Sequence, residues 1–129
     1  MADSVFTYQE ARAQLDAVRR TTQAADERLQ QMRAQSEGLP EDSPQAEGLR
    51  ARMNEAVQRW ADEILALGAL PKGLWTVDFD SGQGFYYCWA LNEPELTHYH
   101  SYEDGFPGRK PLVDGVPPGF PGAKPSVLN

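Results

Sequence analysis

Apolar positions recur along the first third of the chain at alternating spacings of four and three. Ala11, Leu15, Val18, Thr22, Ala25, Leu29 and Met32 form one stripe, the spacing that keeps a seam in register between helices wound left-handed about each other. Ahead of it, Thr7 and Glu10 make a capping box, in which hydroxyl and carboxylate each satisfy a free backbone N–H at a helix start. A helix is expected from about Tyr8, about 29 residues and so roughly 43 Å long. The stripe holds a threonine and two alanines, so it permits close helix approach but buries little area per turn.

From Ser36 to Ser43 the period is lost, and Gly38 and Pro40 break the helix for backbone reasons. Ser43 can cap a second helix with Pro44 in its first position, where a missing N–H costs nothing. Ala46, Leu49, Met53, Ala56, Val57, Trp60, Ile64 and Leu67 define its apolar face, and Gly68 is placed to end it. Residues 7–68 therefore read as a long antiparallel two-helix hairpin.

Near Pro71 the composition changes type, and aromatic and β-favouring residues gather. Trp75 to Phe79, Phe85 to Leu91 and Leu96 to Ser101 read as three antiparallel strands, a sheet over 74–101. Asp80 to Gly84 forms the first turn, with glycines available for positive φ. If Asn92 to Glu95 is a four-residue turn, Leu91 pairs with Leu96, Trp89 with His98, Tyr87 with His100 and Cys88 with Tyr99. A slip of one residue reverses these faces. After Ser101, Gly105-Phe106-Pro107-Gly108-Arg109-Lys110-Pro111 recurs as Gly119-Phe120-Pro121-Gly122-Ala123-Lys124-Pro125, which raises competition of Phe120 for the site of Phe106. Residues 113–129 carry four prolines and read as a Gly/Pro-rich arm, an extended or disordered tail. The fold class is α+β: one domain over residues 1–112, helical hairpin first, small sheet second.

Composition adds one constraint. The chain is 40% hydrophobic over 129 residues, but 15 of those residues are alanine, so the core is thin and a second copy packed on the helices is expected to complete it. A homodimer is the expected assembly. The formal net charge of −7 argues against nucleic acid or an anionic membrane as partner, since affinity for phosphate comes from clustered cations. No apolar stretch approaches the roughly 20 residues of a bilayer span, and no signal-like segment opens the chain. Cys88 is the single cysteine, which excludes an intrachain disulfide and suits a reducing compartment; the cytoplasm is expected.

Few residues offer chemistry. His98 and His100, two apart on a strand, share a face, and with Glu93, or with Glu95, Glu103 or Cys88, they can supply ligands for a divalent transition metal; packing and hydrogen bonding without metal is the commoner fate of such a pair. Cys88 can act as a nucleophile only beside a base, and otherwise serves as a small buried hydrophobe. Arg109 is the one arginine after residue 68; it can grip an anionic ligand in bidentate fashion or pin its loop through Asp78, Glu93 or Glu103. No phosphate-binding loop, dinucleotide fingerprint or nucleophile elbow is present.

Phe6-Thr7-x-x-Glu10-Ala11, Val77-Asp78-Phe79, Cys88-Trp89-x-Leu91-x-Glu93, His100 and Gly105-Phe106-x-Gly108-Arg109 together resemble an uncharacterised prokaryotic family, domain of unknown function 2203, over about residues 5–112. The resemblance implies a pedigree and carries no activity. The residues themselves lead to a non-enzymatic cytoplasmic interaction or scaffold protein, holding a peptide or small anionic ligand on a face made by Tyr87, Trp89, Glu93, His100 and Arg109. The competing expectation is a metal-binding protein or metal-dependent enzyme that uses His98, His100 and a carboxylate such as Glu93.

Overall fold

The computed structural model describes residues 4–118; the second copy of the repeated motif, with Phe120, lies outside the described residues. Helix α1 spans Tyr8–Ser36 and α2 spans Pro44–Ala66. The Thr7–Glu10 capping box is formed at the start of α1, and Ser43 accepts from the Ala46 N–H at the start of α2. Gly68 follows α2 with a φ of 89°, a left-handed conformation that glycine adopts without a Cβ penalty. The helices are antiparallel: Trp60 Nε1 donates to Thr22 Oγ1 at 2.8 Å, and Gln14 Nε2 donates to the Leu67 carbonyl at 2.7 Å, so positions advance on one helix as they retreat on the other.

The stripe on α1 is buried from Ala11 to Leu29, and Ala46, Leu49, Ala56, Trp60 and Ile64 are its buried counterparts on α2. The two stripes are thus packed on each other within one chain. Large side chains do the filling that alanine cannot. Trp60 meets Trp75 edge to face at 5.0 Å, and Trp75 Nε1 donates to Asp26 Oδ1 at 3.0 Å, which fastens the hairpin to the sheet.

The sheet has five antiparallel strands in sequence order: β1 Leu70–Pro71, β2 Thr76–Asp80, β3 Phe85–Ala90, β4 His98–Ser101 and β5 Lys110–Pro111. The three expected strands are its centre. The two added edges are only two residues long and each contains a proline, so no alternation announces them. The region 70–111, rather than 74–101, forms the sheet. Residues 113–118, expected to begin the arm, hold a Val113–Val116 bridge.

The expected register of β3 against β4 is corrected by one residue. Tyr87 pairs with Tyr99, Cys88 with His98 and Tyr86 with His100. The cause lies in the loop: Asn92 takes a φ of 84°, Glu93 N–H turns back to the Ala90 carbonyl, and Leu96 enters the core instead of pairing with Leu91. This register sets Tyr99 on the same face as Phe85, Tyr87 and Trp89, all within one core with the helices. The expected register would have sent Tyr99 to the opposite face and left that aromatic surface uncovered.

Candidate metal centre

The register decides which ionisable residues meet. Asp78 lies opposite Cys88, Cys88 opposite His98, and Tyr86 opposite His100; residues directly opposite share a face. Because Val77, Phe79, Tyr87, Trp89 and Tyr99 point into the helical core, these side chains leave the sheet on the other side. Asp78, Cys88 and His100 are nonetheless 1%, 0% and 5% exposed.

His100 reaches across β3 to β2. Its Nε2 is 3.0 Å from Asp78 Oδ2, and its Nδ1 is 2.8 Å from the Ser101 carbonyl oxygen. A carbonyl only accepts, so this geometry assigns a hydrogen to Nδ1, and imidazole and carboxyl share one proton across the Nε2–Oδ2 contact. Burial pushes the Asp78 carboxyl above its ordinary range, with the neighbouring His100 charge opposing it. Asp78 Oδ1 is buried and has no hydrogen-bond partner among the described residues. Burial also pushes the Cys88 thiol up to about 12, and the Asp78 charge beside it works in the same direction. The thiol is therefore protonated at neutral pH and is no activated nucleophile. A thiol reagent is expected to modify native Cys88 slowly and the denatured chain rapidly; equal rates in the two states would contradict the buried, protonated thiol.

One ligand-capable atom from each of Asp78, Cys88 and His100 lies within 4.8 Å of the others. Zinc–ligand bonds of about 2.0 to 2.3 Å place ligand atoms roughly 3.3 to 3.7 Å apart in a tetrahedron, a spacing within the bound that this set meets.

Arg109 is delivered by the short 3-10 helix Phe106–Gly108 between β4 and β5. Its Nη1 donates to Glu93 Oε1 at 3.0 Å and its Nη2 donates to Glu93 Oε2, and its guanidinium lies 4.2 Å from the Phe106 ring centroid. Glu93 accepts from the Ala90 N–H at 3.0 Å. Burial would raise the Glu93 carboxyl, but the hydrogen bonds from Arg109 and Ala90 outweigh it and hold it below its usual range. The hydrogen bond to Glu93 in turn raises Arg109. Of the partners expected for Arg109, the structure selects Glu93.

The expected residues divide accordingly. His100 and Cys88 belong to the cluster. His98 shares their face, half-buried, with its Nδ1 2.9 Å from Thr97 Oγ1; Glu93 is occupied by Arg109; Glu95 and Glu103 are exposed. Tyr87 and Trp89, expected beside the histidines, are turned to the helices and buried, and Trp89 Nε1 donates to the Glu93 carbonyl at 2.9 Å. Sequence reasoning missed Asp78 as a ligand. Its signal was a carboxylate between two apolar strand residues, which on a sheet faces away from the core that they enter. A separate cleft of about 710 Å³, lined in part by Tyr8, Tyr87 and Leu96, contains none of the cluster.

These features define a class: an α+β protein with a helical hairpin packed on one face of a five-stranded antiparallel sheet and a buried Asp-Cys-His cluster on the other. A family model for an uncharacterized conserved protein, domain of unknown function 2203, matches residues 4–112, and the chain belongs to that family. No curated protein and no solved structure matches. Of the polar residues on which the resemblance rested, Thr7 and Glu10 cap α1, Asp78, Cys88 and His100 form the cluster, and Glu93 and Arg109 form an ion pair.

Proposed function

We propose that this protein binds a divalent transition metal, zinc or an ion of similar softness, through Asp78 carboxylate, Cys88 thiolate and His100 Nε2. The convergence of these three buried side chains within 4.8 Å carries the reading. Three further features support it. Nδ1–H of His100 is directed at the Ser101 carbonyl, the outer partner that a metal-bound imidazole ordinarily has. A mixed sulfur, nitrogen and oxygen set suits borderline-soft ions. A carboxylate and a thiolate balance the two charges of the ion, so the buried site is neutral when filled. Three protein ligands leave a coordination position for water or a small ligand. A reducing compartment such as the cytoplasm keeps a lone thiol available for this use. The competing view of an open aromatic face for a peptide or anion has less support, because Tyr87 and Trp89 are covered and Arg109 is held by Glu93.

The test is titration of untagged, metal-stripped protein with Zn²⁺ and Co²⁺, followed by calorimetry and thermal unfolding. One equivalent per chain is expected, with stabilisation of about 2.7 kcal/mol when free metal is 100 times Kd, and D78N, C88S and H100Q each lose it. Absence of stoichiometric uptake of either ion overturns the proposal.

A further inference from the structure

The cleft of about 710 Å³ plays no part in the metal reading, and its volume is that of a small-molecule site. Tyr8 holds two of its walls in place. The Tyr8 hydroxyl donates to the Leu96 carbonyl at 3.1 Å, and the ring packs so closely on Gly115 that a Cβ there would come within 2.5 Å of it. Asp114 and Gly115, with φ of 52° and 77°, turn the chain between Val113 and Val116, whose backbone groups exchange hydrogen bonds at 2.8 and 3.0 Å. An Asp-Gly pair with both residues at positive φ is the pattern of a type I′ turn. Glu95, beside Leu96, and Asp114, beside Gly115, both line the cleft and are carried there on fixed backbone.

Neither of these carboxylates has a hydrogen bond or an ion pair among the described residues. Of the other charged lining residues, Glu10 is engaged in the capping box, and Arg12, the one cation, lies over the Tyr8 ring at 5.7 Å. The lining thus carries three acids against one base. Tyr87 also lines the cleft and is 6% exposed. Among the described residues its hydroxyl has no partner, and it is not shut off from solvent, since Asp78 Oδ1 alone is both buried and unpartnered there. The Tyr87 hydroxyl therefore opens on the cleft, and a phenolic O–H both donates and accepts.

We infer that the cleft is a binding site for a small organic amine: Asp114 and Glu95 accept from its ammonium group, its apolar body lies against Leu96 and Pro117, and the Tyr87 hydroxyl hydrogen-bonds a polar atom on that body. The unpaired carboxylates set the sign of the ligand's charge, and the pinned walls reduce the ordering that binding must impose. The site does not depend on the metal reading.

The experiment is titration of the full-length, metal-stripped protein, followed by amide NMR, with three probes of similar size: tyramine, phenethylamine, which lacks the phenolic hydroxyl, and hydroxyphenylpropionate, in which a carboxylate replaces the ammonium. Tyramine is expected to shift the amides of Leu96, Thr97, Asp114 and Gly115 and to bind at least about tenfold more tightly than the acid, within what a charge-assisted hydrogen bond contributes. D114N, whose asparagine tolerates the positive φ of the turn, is expected to weaken tyramine by about tenfold, with a smaller loss in E95Q. Y87F is expected to bind phenethylamine as the wild type does and to lose any preference for tyramine over it. Circular dichroism and thermal unfolding report the folding of each variant; should D114N not fold, E95Q, Y87F and the wild-type ratio of tyramine to acid decide the matter. Tyramine that shifts no cleft amide overturns the inference. So does an acid that binds as tightly as the amine, which assigns the cleft to an anion on Arg12, and so does a tyramine affinity unaltered in D114N, E95Q and Y87F alike. No metal is present and the cluster residues are unchanged, so failure here leaves the zinc titration untouched, and failure of that titration leaves this site standing.

Discussion

Replacing Trp89 by alanine is expected to destabilise the protein by about 3–5 kcal/mol, the range for deleting a fully buried large aromatic side chain, read from urea unfolding with the slope unchanged. Trp89 is 0% exposed and lies in the core shared by hairpin and sheet. Its loss empties the volume where β3 meets the helices, and residues on both sides are held by their own packing and relax only in part. The indole does a second thing: its N–H donates to the carbonyl of Glu93, so the core reaches through one hydrogen bond to the residue that holds Arg109. W89F separates the two. It keeps most of the apolar volume and loses the donor, so a smaller loss of stability is expected together with a measurable loosening of the Glu93–Arg109 pair. A W89A cost below about 1 kcal/mol would show that β3 is not packed as described.

The second large effect concerns the Asp78–His100 pair in metal-free protein. Removing one partner of a buried charged pair leaves the other desolvated and unpaired, at a cost of about 3–5 kcal/mol. H100A is expected to fall in that range, because Asp78 is 1% exposed and its other carboxylate oxygen already lacks a partner among the described residues. D78A leaves the imidazole in the corresponding state. The double variant D78A/H100A is expected to be less destabilised than the sum of the singles, by an interaction of 0.5–3 kcal/mol, since no unpaired group is then left buried. Strictly additive losses in a double-mutant cycle would mean that the 3.0 Å contact carries no coupling. The cycle is independent of metal, so it tests the apo cluster whatever the outcome of the titrations.

How far the fold is legible in the sequence differs from element to element. The start of α1 is set by Thr7 and Glu10, the start of α2 by Ser43 and Pro44, and the break between them by Gly38 and Pro40. These are interactions among residues three or four apart, which backbone geometry alone dictates, and the observed helices Tyr8–Ser36 and Pro44–Ala66 follow them. The three central strands are legible through their aromatic residues. The edge strands Leu70–Pro71 and Lys110–Pro111 are not, because a two-residue strand has no period and exists only where a neighbour offers it hydrogen-bonding groups.

The candidate site was legible in its parts. Cys88, His100, Glu93 and Arg109 stand out singly, but their grouping depends on register, and a strand can slide by one residue without any change in its own pattern. With Trp89 opposite His98 the aromatic residues and histidines share a face and suggest a binding surface; with Cys88 opposite His98 the aromatic residues go to the core and the ionisable residues meet one another. The sequence by itself determined the two helices, their cap residues, their turn and the order of the central strands, since each rests on neighbours along the chain. The choice of face, and with it the meeting of Asp78, Cys88 and His100, belonged to the tertiary structure. Burying Tyr99, Tyr87 and Trp89 together against Trp60 and Ile64 removes far more apolar surface from water than the alternative register can, and the polar cluster is what that burial leaves on the other side.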